Sequence, residues 1–182
     1  MPIPPVSAAA EPVARQLGRI VRPMAERTSD AVISSEDYLQ FVHEALTGMV
    51  GIVTGLGDER ANRCPDLPAA NSPFAILTHC LGVMEYWAGH VVAGRAIQRD
   101  REAEFRAAGR IDDLRDRVSA QWTRFVDDVA HADPFAPPRG DVSPDDATQP
   151  LGRTQGGALL HVYEELAQHR GQLEVTADML RG

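Results

Sequence analysis

Residues 159–173, LLHVYEELAQHRGQL, constrain the fold more than any other stretch. Leu159, Val162, Leu166 and Leu173, continued by Thr176 and Leu180, recur at helical spacing and define one buried stripe. His169 falls on that stripe where a leucine is expected, and Glu165 stands one turn before it. Side chains four apart on a helix point the same way. Burying a carboxylate costs several kcal/mol unless a cation or strong hydrogen bonds meet it. A divalent metal supplies that charge, and Glu and His are both ordinary zinc ligands. The pattern therefore asks for a third ligand from elsewhere in the chain.

Composition narrows the setting. With 182 residues, 43% of them hydrophobic, the chain suits one domain with a substantial core. A formal net charge of -8 argues against a nucleic-acid partner, which needs a basic face. No run approaches the length of a membrane span, and the prolines near the start leave no secretory apolar core, so no membrane role is expected. Cys64 and Cys80 make no disulfide framework, and a reduced cytoplasmic setting is the simpler expectation. All 18 basic residues are arginine, which gives a surface of planar, bidentate donors.

Along the chain, residues 1–33 read as an extension with one mildly amphipathic patch (Val13, Leu17, Ile20, Val21, Met24), expected to form a short packed helix. A bundle domain is expected over 34–182. Ser34 with Asp37 marks a helix start, and Leu39, Val42, Leu46, Met49 and Val53 carry it to about Leu56. Residues 55–71 are turn-rich and read as a loop. Ser72-Pro73 is a side-chain cap followed by proline at the first helical position, and the apolar run from Phe74 to Val91 marks a central helix. Residues 94–117 are dense in alternating charge and read as a solvated connection; a functional reading puts Arg95, Arg99 or Arg101 at the mouth of a site for an anionic group. A third helix follows, with Val118, Trp122, Phe125 and Val129 inward. Residues 131–153 hold five prolines and read as a long covering loop. The last helix runs from about Thr154 to Leu180. With no alternating strand pattern, the expectation is an all-α four-helix bundle with long connections.

The candidate third ligand is His79, on the most apolar helix. His79, Glu165 and His169 give three protein ligands, which leaves a position open for water or substrate, the catalytic rather than the structural zinc pattern. Nickel, iron or manganese fits the same donor set.

These residues resemble the DinB/YfiT-like superfamily of four-helix metal proteins. The likeness rests on HRGQ at 169–172, on the ligand four residues upstream and on a histidine in the second bundle helix. Many members have histidine at the upstream position; here it is Glu165. The Glu-x-x-x-His version resembles the mycothiol-dependent maleylpyruvate isomerase branch, and SPFAILTHCLGVMEYW at 72–87 is similar to an actinobacterial mycothiol transferase-like group. The resemblance implies the DinB fold, a metal held by His79, Glu165 and His169, and a homodimer. It implies a small thiol such as mycothiol, whose pKa the metal would lower. The reaction follows less directly, because one scaffold serves several thiols and substrates.

Around the ligands, His161 is expected to hold Glu165 through a hydrogen bond or to lie exposed rather than to replace it as a ligand, and Gln172 to orient a ligand. Trp87, Tyr86 and Tyr163 are expected as core or pocket wall, Arg99 as a pocket residue, and Arg170 in a structural ion pair. Cys80, about 100 degrees round the helix from His79, reads as a packed apolar residue. His43, His90 and His131 lack an identifiable partner; His90, eleven residues after His79 and near the same face, is read either as lining a cavity or as lying on the surface. The expectation is thus a metal-dependent enzyme that uses a small thiol for transfer or isomerisation of a small electrophile. The alternative is a non-catalytic metal- or ligand-binding bundle. A site sealed by Trp87, Met84 and residues 131–153 would favour the alternative, and an open one the enzyme.

Overall fold

The computed structural model describes residues 33–182, of which Ser34–Gly182 form one compact unit. The short helix expected in the N-terminal extension lies outside the described residues. Helix α1 (Ser35–Ala61) starts where Ser34 Oγ accepts the backbone N–H of Asp37 at 3.0 Å. Its buried stripe is Val42, Ala45, Leu46, Met49, Val53 and Leu56. The chain was expected to leave the helix near Leu56. Instead helical structure resumes after a kink at Gly57, whose φ of 71° only glycine adopts cheaply, and ends at Ala61.

By length and composition α1 is long and apolar enough to cross a membrane, so the sequence does hold one run of that length. Its apolar stripe is used differently: it packs on the last helix, α4 and α2.

Helix α2 (Pro73–Met84) is buried at every position except Gly82, as the apolar run requires. Ser72 caps it and Pro73 occupies its first turn. It continues without a break into π-helical turns over Glu85–Val92, which end where Ala93 N–H reaches Ala88 C=O five residues back, at 2.9 Å.

The charged stretch after α2 is more structured than its composition suggests. It contains a short helix α3 (Arg101–Phe105), and α4 (Ile111–Ala130) begins well before Val118. The reason is that the apolar face extends upstream: Ile111 and Leu114 are buried along with Phe125 and Val129, while Val118 and Trp122 are half-buried. Two further short helices, α5 (Pro144–Ala147) and α6 (Pro150–Arg153), interrupt the expected covering loop. That loop is tied down by Gln155, whose Oε1 accepts from Asp133 N–H at 3.0 Å and whose Nε2 donates to Pro137 C=O at 2.9 Å.

Helix α7 (Gln155–Arg181) packs on α1, α2 and the π-helical turns. Leu159, Val162, Leu166, Leu173, Thr176 and Leu180 are all buried, as their spacing predicts. The four long helices α1, α2 with its π extension, α4 and α7 make the all-α bundle, with no strand among the described residues. Close packing of α2 on α7 brings His79 to Glu165 and His169.

Candidate metal centre

His79 projects from the middle of α2 and is 2% exposed. Glu165 and His169 project from one face of α7, as their i, i+4 spacing dictates. One donor atom from each of the three residues lies within 4.8 Å of the other two. His79 Nε2 is 3.4 Å from Glu165 Oε2, and His169 Nε2 is 3.3 Å from the same oxygen. The two rings meet edge to face at 5.0 Å between centroids.

Each ring has its other nitrogen occupied. His169 Nδ1 lies 2.8 Å from Gln172 Oε1. An amide oxygen only accepts, so His169 carries a proton on Nδ1 and keeps Nε2 for the centre. His79 Nδ1 lies 2.9 Å from Glu104 Oε2. Arg99 grips that carboxylate with Nε on Oε1 at 2.8 Å and Nη2 on Oε2 at 2.9 Å. An ionised carboxylate likewise only accepts, so Nδ1 of His79 is the donor. Phe105 stacks on the His79 ring at 4.4 Å.

The electrostatics follow from these contacts. Burial pushes the His79 pKa down, but hydrogen bonds to Glu104 and Glu165 outweigh it, and the net shift is upward from 6.5. Hydrogen bonds from His169 and then His79 hold the Glu165 carboxyl well below the usual carboxylate range. Burial works against ionisation of Glu104, yet its bonds to His79 and Arg99 bring its carboxyl below the ordinary value as well. The two carboxylates that flank His79 favour its protonated form, which is the form that burial opposes. A divalent cation would displace that proton, and two imidazole nitrogens with one carboxylate oxygen suit zinc or a neighbouring transition metal.

The other candidate residues are placed as follows. His161 stands one turn before Glu165, its Nε2 at 3.7 Å from Glu165 Oε1 and its Nδ1 at 3.2 Å from Glu164 Oε2. Trp87 is buried and meets the His161 ring edge-on at 4.9 Å. Tyr163 lies apart, packed on Phe41 at 5.9 Å. Arg170 pairs with Glu174 at 3.3 Å. Cys80 is fully buried, and burial pushes its thiol up.

His90 bonds to the backbone oxygens of Arg95 and Asp141 rather than joining the cluster. Of the three arginines considered for an anion, Arg95 is engaged by Asp128 through two bonds of 3.0 and 2.9 Å, and Arg99 by Glu104. The guanidinium of Arg101 lies over the ring of Phe105. The segment is therefore not a purely solvated connection: Glu104 is only 10% exposed. Glu104 and Phe105 escaped the sequence reading because nothing in a charge-rich run marks which carboxylate turns inward.

The centre is open on its α7 side, where Glu165 and His169 keep 25% and 21% of their side chains exposed. On its other side, Arg99 and Glu104 form part of the wall of a cleft of about 560 Å³ between α2, α3 and α4. A family model described as mycothiol S-transferase matches residues 37–182. No curated protein matches the chain.

Proposed function

The chain belongs to the mycothiol S-transferase family, and we propose that it is a metal-dependent enzyme transferring or isomerising small electrophiles with the help of a low-molecular-weight thiol. The observation that carries this reading is the convergence of two Nε2 atoms on Glu165 Oε2 with both Nδ1 atoms held elsewhere. Imidazoles serving only as packing have no need of that arrangement; ligands oriented for a cation do. His79, Glu165 and His169 would hold the cation, zinc best fitting the donors, with nickel, iron or manganese as chemical equivalents. Such a cation would supply a Lewis acid that lowers the pKa of a thiol presented at the open position.

The residues do the rest. Glu165 offsets the cation's charge, Gln172 fixes the His169 ring, and His161 stands within reach of Glu165 Oε1. Neither of the chain's own cysteines belongs to the centre: Cys80 is sealed in the core and Cys64 is exposed in the connection after α1. A small thiol such as mycothiol from outside the chain fits that gap.

Partial exposure of Glu165 and His169 favours an enzyme over a non-catalytic metal- or ligand-binding bundle, which would be sealed by Trp87, Met84 and residues 131–153. The acidic net charge supports a small-molecule substrate rather than nucleic acid, and we place the protein in the cytoplasm as a homodimer that does not engage membrane.

Metal analysis of the purified protein beside His79→Ala and Glu165→Ala tests the reading. One equivalent of metal in the native protein and a loss in both variants are expected. Full stoichiometry in both variants would remove the site. An electrophile screen with and without mycothiol then separates enzyme from binding protein.

A further inference from the structure

Glu104 is 25 residues from His79 in sequence and belongs to a different helix, yet it is the only described side chain whose oxygen meets His79 Nδ1. Three features fix it there. Arg99 forks both of its oxygens from five residues upstream. Asp100 caps α3 by accepting from Ala103 N–H at 2.9 Å, which sets the start of the helix that carries Glu104. Gly82, one turn after His79 on α2, leaves the space in which the carboxylate lies: a Cβ at that position would collide with Glu104 Oε1. A gap in one helix, a carboxylate from another and an arginine clamp are thus matched to a single imidazole proton.

From this geometry we infer that Glu104 is a positioning residue for His79, held by Arg99 and seated on Gly82, and that it keeps the His79 proton on Nδ1 and Nε2 directed at Glu165 and His169. The inference rests on the metal-centre reading above. A carboxylate behind a ligating imidazole fixes its tautomer and ring orientation and makes it a better donor. Neither Glu104 nor Arg99 touches the cation position; both act through His79. Gly82→Ala is a complementary probe, because it displaces the carboxylate while keeping it in the chain.

The test measures zinc affinity by competition with a chromogenic chelator, on full-length native protein and on Glu104→Ala, Glu104→Gln and Gly82→Ala. Nitrogen-15 spectra of the zinc-loaded proteins report the His79 tautomer. Glu104→Ala and Gly82→Ala should lose roughly 10–100-fold in zinc affinity, and the His79 Nδ1–H signal should lose its protection from exchange. Glu104→Gln keeps an acceptor oxygen and should recover much of the loss, which a purely structural role for the residue would not explain. Should Glu104→Ala fail to fold, the Gln variant and the native Nδ1–H signal decide the matter. Native-like affinity and an unchanged Nδ1–H signal in Glu104→Ala, or in Glu104→Gln and Gly82→Ala together, would overturn the inference while leaving the metal centre standing. Failure of the native protein to bind zinc, or any of the chemically equivalent metals, would overturn both.

Discussion

His79 and His169 stand edge to face, with ring centroids 5.0 Å apart and planes at 84°, although 90 positions separate them in the sequence. Their approach requires α2 and α7 to be docked, so the unfolded chain retains only the local Glu165–His169 pair. Any ion that needs all three donors binds the folded state alone.

Metal addition should therefore stabilise the protein. At a hundredfold excess over the dissociation constant the gain is about 2.7 kcal/mol. For a domain of this size that corresponds to a rise in Tm of roughly 5–10 °C. Differential scanning calorimetry with zinc and then with excess chelator checks it; no shift in the native protein, or an equal shift in Glu165→Ala, would contradict the assignment.

The metal-free protein should show a particular dependence on pH. His79 has its pKa raised above 6.5, so its contribution is complete below 6.5 and is lost as pH rises through the folded value. Glu165 has its pKa lowered below 4.5, so its contribution is complete above 4.5 and is lost as pH falls toward the folded value. These two groups together favour a plateau between about 4.5 and 6.5. Zinc reverses the upper limb, because it competes with the His79 proton and binds more tightly as pH rises. Urea denaturation from pH 4 to 8, with and without zinc, reads both trends.

Arg95 and Asp128 form a structural ion pair, with Asp128 4% exposed. Asp128→Ala removes both hydrogen bonds of a guanidinium that is 35% exposed and keeps only Glu85 at 3.8 Å, and should cost about 1 kcal/mol in a denaturation experiment. Zinc affinity should stay unchanged, because neither residue touches His79, Glu165 or His169. A tenfold fall in zinc affinity would assign this pair a role at the centre.

Two glycines of α1 should respond in opposite directions. Gly51 is exposed, inside the helix, and nothing lies within 4 Å of a Cβ placed there, so Gly51→Ala should stabilise by about 0.8–1.0 kcal/mol. Gly57 has φ 71° and ψ 164°, a region almost closed to other residues, so Gly57→Ala should destabilise by about 1–3 kcal/mol. Urea midpoints of the two variants check the signs.

What the sequence made legible was whatever depends on local periodicity. The α7 stripe, the Ser34 and Ser72 caps and the Glu165–His169 pair follow from side-chain spacing or cap chemistry, while His79 came from its place on the most apolar helix and from the family resemblance; the structure brings those three residues together. What it hid depends on tertiary context. The inward turn of Glu104 comes from Gly82 and Arg99, neither of which announces a partner. Ile111 and Leu114 sit among charges that masked their shared face. His90 was counted from His79 at α-helical pitch, and the wide turns between them broke that count.

Those wide turns have a bearing on how the chain tolerates a change of length. A π-helical stretch advances its residues at a wider pitch than an ordinary helix, so the number of residues in Glu85–Val92 sets the direction in which the chain leaves α2. Shortening Glu85–Val92 by one would leave His79 where it is and swing the following backbone by about 100°. Arg95 would then miss Asp128, and the strand of chain that delivers Arg99 and Glu104 would depart in another direction. Spacing between positions 79 and 104 is thus as much a part of the site as the side chains at either end.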